Sequence, residues 1–292
     1  MSLINSTVEI SETNVKESAA RVSVTSSVIG KNGAKAKSAS NGGERTDERN
    51  FERDWTHLVF TRLSQRFDQG SASDVLHWAV QTFGVGLSIG TAFGASGIVL
   101  MDLALQIQPD VDIFYVDTGY FFPETEQLID RLQTHYQRPF RRTATPLTIA
   151  EQSKRYGPQL HQNDPDLCCH LRKVLPMRQA LRDSTAWVTA LRRDQAKTRD
   201  ATPMVKWNER YGVLKLAPLV RWDEQDVWQY IHEHKLPYNE LHDHNYPSIG
   251  CWPCTRAVLP GEDLRAGRWQ GRDKTECGLH WEIGAGNNKL GD

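Results

Sequence analysis

Along this chain the spacing of apolar positions changes several times, and each change marks an expected element. "FERDWTHLVFTRLSQRF" spaces its apolar residues as one face of a helix. In "VGLSIGTAFGASGIVLMDLALQI" a short apolar run predicts a strand. A Gly/Ser/Thr loop follows, and then apolar residues on a 3.6 period predict a helix. "VDIFYVDTGY" predicts a buried strand ending in a turn, and "FPETEQLIDRLQTHY" a helix with Pro123 and Glu124 near its start. "AWVTALRRDQ" and "VLKLAPLV" are further strand candidates, with the helical pattern of "LRKVLPMRQALR" ahead of them. "WDEQDVWQYIHEH" predicts a helix capped by Asp223. Strands alternating with helices favour an α/β fold, a mostly parallel sheet with helices on both faces. After about residue 236 the pattern breaks into turn-rich sequence.

The first 50 residues contain no Phe, Trp or Tyr and are rich in Ser, Asn, Gly, Thr and Lys. With little apolar surface to offset ordering entropy, they are expected to form a disordered extension. Glu9, Glu12 and Glu17 argue against an organelle transit peptide there. Residues 51–292 are expected to form a single domain ending in a mobile tail from about residue 265.

The formal charge of -1 gives no support to wholesale nucleic-acid or membrane binding. No apolar run reaches the length of a membrane span. The five cysteines all lie between positions 168 and 277. An odd, clustered set argues against a secreted disulfide framework and for a reducing cytoplasm.

Three features carry candidate chemistry. The loop "SIGTAFGASG" falls where an open parallel sheet binds ligands, and its backbone N–H groups with Ser88, Thr91 and Ser96 suit an anion. It matches neither familiar phosphate-loop pattern, so an ordinary strand–helix turn stays open. In "VDTG", Asp117 suits either nucleotide contact or a helix cap. Cations cluster at Arg172 and Lys173, at Arg192, Arg193 and Arg199, and at Arg265, Arg268 and Arg272. Guanidinium forks bind phosphate-like anions, although solvated surface charge explains such clusters equally well.

Four cysteines form two pairs, Cys168–Cys169 and Cys251–Cys254. A Cys-x-x-Cys turn points both sulfurs one way, as metal sites require. Adjacent cysteines on a helix diverge by about 100°, which suits the separate iron corners of a 4Fe–4S cube better than one Zn²⁺ ion. A redox disulfide and plain buried thiols are the alternatives. Cys277 falls outside this tetrad. Beside His280 and downstream of the arginines, its thiolate is favoured and it becomes a nucleophile, unless it is an idle surface cysteine.

Together "VDTGYFFPET", "YGPQLHQNDPDLCCHLRKVLPM", "LRRDQAKTR", "LPYNELHDHNYPSIGCWPCTRAV", "GEDLRAGRW" and "KTECGLH" resemble the assimilatory sulfonucleotide reductases, over about residues 70 to 280. Within them the likeness is to the iron–sulfur type that reduces adenosine 5'-phosphosulfate (APS), related to the 3'-phospho-APS (PAPS) reductases. The resemblance implies an adenine-nucleotide α-hydrolase-like fold and a 4Fe–4S cluster on Cys168, Cys169, Cys251 and Cys254. It implies that Cys277 attacks the phosphosulfate sulfur and expels AMP. A thioredoxin-type dithiol then opens the enzyme S-sulfocysteine and releases sulfite, in sulfate assimilation and cysteine biosynthesis. Lys173, Arg193, Arg265, Arg268 and His280 are expected on the phosphosulfate, and the loop from Ser88 through Thr91 and Gly94 on the nucleotide. The resemblance implies no nucleic-acid or membrane partner and is compatible with a homo-oligomer. Gln270 stands where a second Trp is expected, and Ala190 where the family more often has Gly.

Two other readings compete. An ATP pyrophosphatase or adenylyltransferase relative needs a Ser-Gly-Gly-x-Asp-Ser loop that "TAFGASG" does not match. A zinc-stapled RNA-binding protein would use the arginine clusters but leaves Cys277 without a role.

Overall fold

A computed structural model describes residues 59–272, 274 and 276–280 of the chain. The expected disordered extension over residues 1–50 lies outside the described residues, as does the tail beyond residue 280.

Residues 59–67 are helical (α1), followed by α2, Ala72–Phe83, which a reciprocal Ser71–Asp74 capping box starts. β1 (Leu87–Thr91) leads into α3 (Ala95–Ile107), and β2 (Asp112–Asp117) into α4 (Pro123–His135). After β3 (Arg141–Ala144) come α5 (Ile149–Tyr156), the short α6 (Leu160–Asn163) and α7 (Pro165–Cys169). A π-helical turn, His170–Val174, joins α7 to α8 (Leu175–Ala180). β4 (Ala186–Thr189), β5 (Val205–Asn208), β6 (Val213–Leu216) and α9 (Glu224–Glu233) complete the regular elements. Asp223 caps α9 as expected, accepting from the Asp226 N–H at 2.9 Å.

The six strands run in the order β3-β2-β1-β4-β6-β5. All pair in parallel except β5, which is antiparallel to β6. Alternation along the strands sends two different sets of side chains to the two faces. Leu87, Ile89, Ile113, Tyr115, Ala186, Val188, Leu214 and Leu216 enter the main core, with apolar residues of α1, α2, α3, α4 and α9. Phe114, Trp187 and Val213 point the other way, into a smaller core with Met177, Ala180 and Leu181. Each fully buried large apolar side chain contributes about 1.5–3 kcal/mol. Helices therefore cover both faces, as the strand–helix alternation predicts. The second face is only partly filled, because it also holds a cavity.

Two strands went unread in the sequence. β3 is the sequence "RRTA", and its burial is confined to Thr143 and, partly, Ala144. Its arginines pair outward, Arg141 with Asp112 and Arg142 with Asp117. This charged edge strand has too few apolar positions for a period to register. β5 is held by the hairpin to β6 rather than by its own pattern.

Candidate active site

β1 lies between β2 and β4, so the connections leave it in opposite directions, and a crevice opens at the C-terminal ends of these strands. It holds a cavity of about 310 Å³. The loop after β1 forms one wall. Phe93 takes a left-handed backbone (φ 57°), and its N–H donates to Thr91 Oγ1 at 3.0 Å. Its ring is buried against Tyr115 and Phe140, which pins the loop from behind. Gly94 precedes α3 and offers no side-chain acceptor to the first helical turn. The N–H groups of that turn are thus left for a ligand. Glycine is required at 90, where a Cβ would come within 2.7 Å of Trp187 Nε1 and 3.1 Å of the Phe114 ring.

Cations form the opposite wall. The π turn after the cysteine pair separates two basic side chains. Arg172 is buried as a brace, donating to Gln152 Oε1 (2.6 Å) and to the Thr118 (2.9 Å) and Leu147 (3.3 Å) carbonyls. Lys173 faces the cavity. Burial works against its charge, but the sulfurs of Cys251, Cys169 and Cys277 outweigh that and raise its pKa. Arg265 and Arg268 also line the cavity, both lying over the Trp269 ring, at 5.9 and 4.6 Å. Arg268 fits only because residue 250 is glycine; a Cβ there would sit 2.2 Å from Arg268 Nη2.

The described part of the tail, residues 276–280, enters the same cavity. Glu276 accepts from Arg199 Nε and Nη2, both at 2.8 Å. The Gly278 carbonyl accepts from Arg210 at 2.6 Å, and Leu279 packs on the second core. His280 stacks on Trp187. Cys277 lies among these anchors, lining the cavity with Lys173. Burial pushes its thiol up, but Lys173, the Leu279 N–H and Arg268 together prevail, and its pKa falls below the ordinary thiol value.

A second, smaller pocket adjoins Lys173. Cys168, Cys169, Cys251 and Cys254 all line it, with Tyr120, His161, Pro165, Pro253 and Trp269. None of the five cysteines is in a disulfide. Burial first, and then neighbouring sulfurs, push the Cys168 thiol up to about 12. Among the described residues no trio of His, Cys, Asp or Glu converges to hold a single metal ion. A cluster takes one thiolate at each of several irons, so it asks for sulfurs arrayed around a space rather than meeting at a point. Four free thiols around one largely apolar pocket fit that requirement.

The candidate residues separate cleanly. Thr91, Gly94, Lys173, Arg265, Arg268, Cys277 and His280 line the large cavity. Ser88 is away from it. The residue sits near the start of β1, and its hydroxyl donates to Asp112 Oδ2 (2.7 Å) and meets Ser184 Oγ (2.8 Å). Arg193 is also outside the lining, its Nε donating to the Thr202 carbonyl at 3.0 Å. Arg192 points inward instead, held by Asp194 and donating to Ser96 Oγ at 2.5 Å. Asp117 is a turn cap, accepting from the Gly119 N–H (2.7 Å). Gln270 does no stacking and accepts from Arg256 Nε at 2.8 Å. Burial first, then Lys215, Arg199 and Arg265, lower the His280 pKa well below the usual imidazole value, which disfavours its cationic form. The thiolate is stabilised by Lys173 instead. Arg199, named only as one of the cation cluster, lines the cavity as well; the residues missed as site members are Gln195, Trp187 and Glu276. Their only sequence signal was proximity to "LRRDQAKTR" and to Cys277.

The phosphoadenosine phosphosulfate reductase domain family matches residues 86–257. An adenosine 5'-phosphosulfate reductase of Staphylococcus haemolyticus is 47% identical over 210 residues, 72% of this chain and 86% of that protein. One from Halalkalibacterium halodurans is 44% identical over 219 residues, 75% of this chain and 95% of that protein. Among solved structures, a phosphoadenylyl-sulfate (PAPS) reductase from Candida auris in a phosphate complex superposes with a TM-score of 0.61 at 30% identity. That match covers 76% of this chain and 100% of the other.

Proposed function

Because the chain belongs to the phosphoadenosine phosphosulfate reductase family, we propose that it reduces APS to sulfite and AMP with Cys277 as the nucleophile. It is an oxidoreductase acting on a sulfur group. The observation that carries the finer reading is the Cys277 thiol, acidified by Lys173 inside a cavity walled by a helix N-terminus and by Arg265 and Arg268. An anionic substrate repels a thiolate, and these groups supply the screening that lets the two approach.

In the first step the Cys277 thiolate attacks the sulfur of the phosphosulfate. An S–S bond forms, the sulfur–oxygen bond to phosphate breaks, and AMP leaves with that electron pair. The first turn of α3 and the cationic wall stabilise charge as it moves onto phosphate. In the second step a thiolate of a thioredoxin-type dithiol attacks the Cys277 sulfur and expels sulfite with the bonding pair. Its second thiol then resolves the mixed disulfide, so the dithiol supplies both electrons and Cys277 is regenerated. Delivery to a protein dithiol requires the tail to leave the cavity between the steps.

Cys168, Cys169, Cys251 and Cys254 would hold a 4Fe–4S cluster, and it would supply structural bracing and a fixed electrostatic influence next to Lys173. The unpaired thiols suit a reducing compartment such as the cytoplasm. No helix among the described residues is long and apolar enough to cross a membrane. The match to a PAPS reductase favours a second reading, the same chemistry on the 3'-phosphorylated nucleotide.

The test is incubation of anaerobically purified protein with APS and no reductant. The expected result is one equivalent of AMP and one sulfonate on the peptide containing Cys277, with sulfite released on adding thioredoxin. An adduct on another cysteine, or release of neither AMP from APS nor adenosine 3',5'-bisphosphate from PAPS, would overturn the reading.

A further inference from the structure

The residue before the nucleophile carries a carboxylate for which the reaction has no use. Glu276 is only 6% exposed, and it lies beside a thiolate in a cavity meant for an anion. A carboxylate there is costly twice, because it is desolvated and because it repels both Cys277 and the substrate. Something must offset that cost.

The partners show what it is. The Arg199 guanidinium holds Glu276 with two parallel hydrogen bonds of 2.8 Å. Arg265 Nη2 is 3.5 Å from Glu276 Oε2, and the Thr198 hydroxyl is 3.4 Å from Oε1. Arg199 also donates to Gln195. Gln195 Nε2 (3.4 Å) and Arg192 Nη1 (2.5 Å) both donate to Ser96 Oγ in the first turn of α3. A polar chain thus runs from the loop facing the cavity, through Gln195 and Arg199, to the residue preceding Cys277. The cavity is present with this chain intact, and Arg199 and Glu276 both line it.

We infer that Glu276 is a positioning residue: clamped by Arg199 and Arg265, it fixes Cys277 beside Lys173 and sets the tail in register with the α3 loop. This rests on the reading of Cys277 as nucleophile. The rival role for the same contacts is a carboxylate that merely occupies Arg199 and Arg265 until a substrate anion displaces it. The two roles predict opposite results.

The experiment compares wild type, Glu276→Gln and Glu276→Asp in the intact protein by three measurements. The first is single-turnover AMP release from APS, and the second is binding of AMP by calorimetry. The third is the pH midpoint of Cys277 alkylation by iodoacetamide, read on the isolated peptide and needing no nucleotide. Cys277 is faced by Lys173, Arg265, Arg268, Glu276, Tyr211 and Cys169. Removing a negative neighbour with nothing else changed lowers the midpoint, whereas losing the seat beside Lys173 raises it. A positioning role therefore predicts a raised midpoint, about tenfold slower transfer (about 1.4 kcal/mol) and nearly unchanged AMP affinity in Glu276→Gln. It also predicts recovery of most of the rate in Glu276→Asp, which keeps the charge. A lowered or unchanged midpoint, or tighter AMP binding with undiminished transfer, overturns the inference. If wild type releases no AMP, the proposed activity fails, and the alkylation midpoints still decide the role of Glu276.

Discussion

The His280 imidazole lies parallel to the Trp187 indole, 5° between planes and 5.3 Å between centroids. The stack buries the ring beside Lys215, Arg199 and Arg265, so the neutral form is favoured. His280→Asn should therefore leave the pH midpoint of Cys277 alkylation where it is. Its folded pKa is lowered, so the contribution of His280 to stability is complete above the ordinary imidazole value. It declines as pH falls from there toward the lowered one. Denaturant melts at neutral and mildly acidic pH should show wild type losing more stability than the variant. A raised alkylation midpoint in His280→Asn would mean that the imidazolium does support the thiolate.

Lys173 is the counterpart. It is the strongest charge holding the Cys277 thiol down, with Arg268 adding and Glu276 opposing. Lys173→Met should move the midpoint up toward the ordinary thiol range, and the acid limb of kcat/KM should follow it. Each unit of upward shift removes about tenfold of the thiolate at neutral pH. A limb that does not move would show that the arginines alone suffice.

Those two residues also show how far sequence could be read. Lys173 and Cys277 carry strong local signals, a basic residue after a cysteine pair and a lone thiol beside a histidine. The strand–loop–helix around Thr91 and Gly94 was equally visible, because its period changes abruptly. Direction was not visible. In "LRRDQ" nothing in the pattern says that Arg192 turns to Ser96 while Arg193 turns to the Thr202 carbonyl. Ser88 reads as part of a polar loop but is strand, with its hydroxyl committed to Asp112 and Ser184. Charge state was also hidden. A histidine three residues from a thiol reads as a cation until the fold buries it against Trp187. The charged edge strand β3 has no apolar alternation, since only one face of one residue is fully covered.

Gly250 offers a test of the cationic wall that barely touches the fold. A Cβ at this position meets the far end of the Arg268 side chain, which is flexible, so Gly250→Ala should leave melting nearly unchanged. The guanidinium must move, however, away from Ser248 and the Ile249 carbonyl. Because Arg268 also steadies the Cys277 thiolate and the charge developing on phosphate, the KM for the nucleotide should rise and kcat should fall, each several-fold. Equal KM values would place Arg268 outside substrate contact.

The four thiols around the small pocket should make the protein brown, with about four iron atoms per chain. Cys254→Ser should lower iron content, bleach the absorbance and reduce stability, because metal binding to buried ligands is folding energy. Cys277→Ser should keep both colour and iron. A colourless, active protein carrying stoichiometric zinc would contradict the cluster.

Substrate choice turns on whether the cavity has a cation to spare. PAPS adds a 3'-phosphate to APS, about two more negative charges that need dedicated cations or open solvent. Two arginines of the 192–199 stretch reach the cavity. Arg192 is committed to Asp194 through bonds of 2.9 and 2.8 Å, and Arg199 to Glu276 through two of 2.8 Å. Recruiting Arg192 to a 3'-phosphate would take away the cation paired with Asp194, and recruiting Arg199 would leave the buried Glu276 with Arg265 alone, either of which costs more than breaking an exposed pair would. Lys173, Arg265 and Arg268 lie with Cys277, where the phosphosulfate is bound in the proposed reaction. APS should therefore be the better substrate, by at least tenfold in kcat/KM, equivalent to about 1.4 kcal/mol. The comparison needs one thioredoxin and fixed ionic strength, because screening weakens phosphate recognition. Asp194→Asn should narrow the ratio by freeing Arg192. A tenfold preference for PAPS in the unaltered protein would show that Arg192 or Arg199 gives up its carboxylate, and the thiol chemistry at Cys277 would stand unaffected.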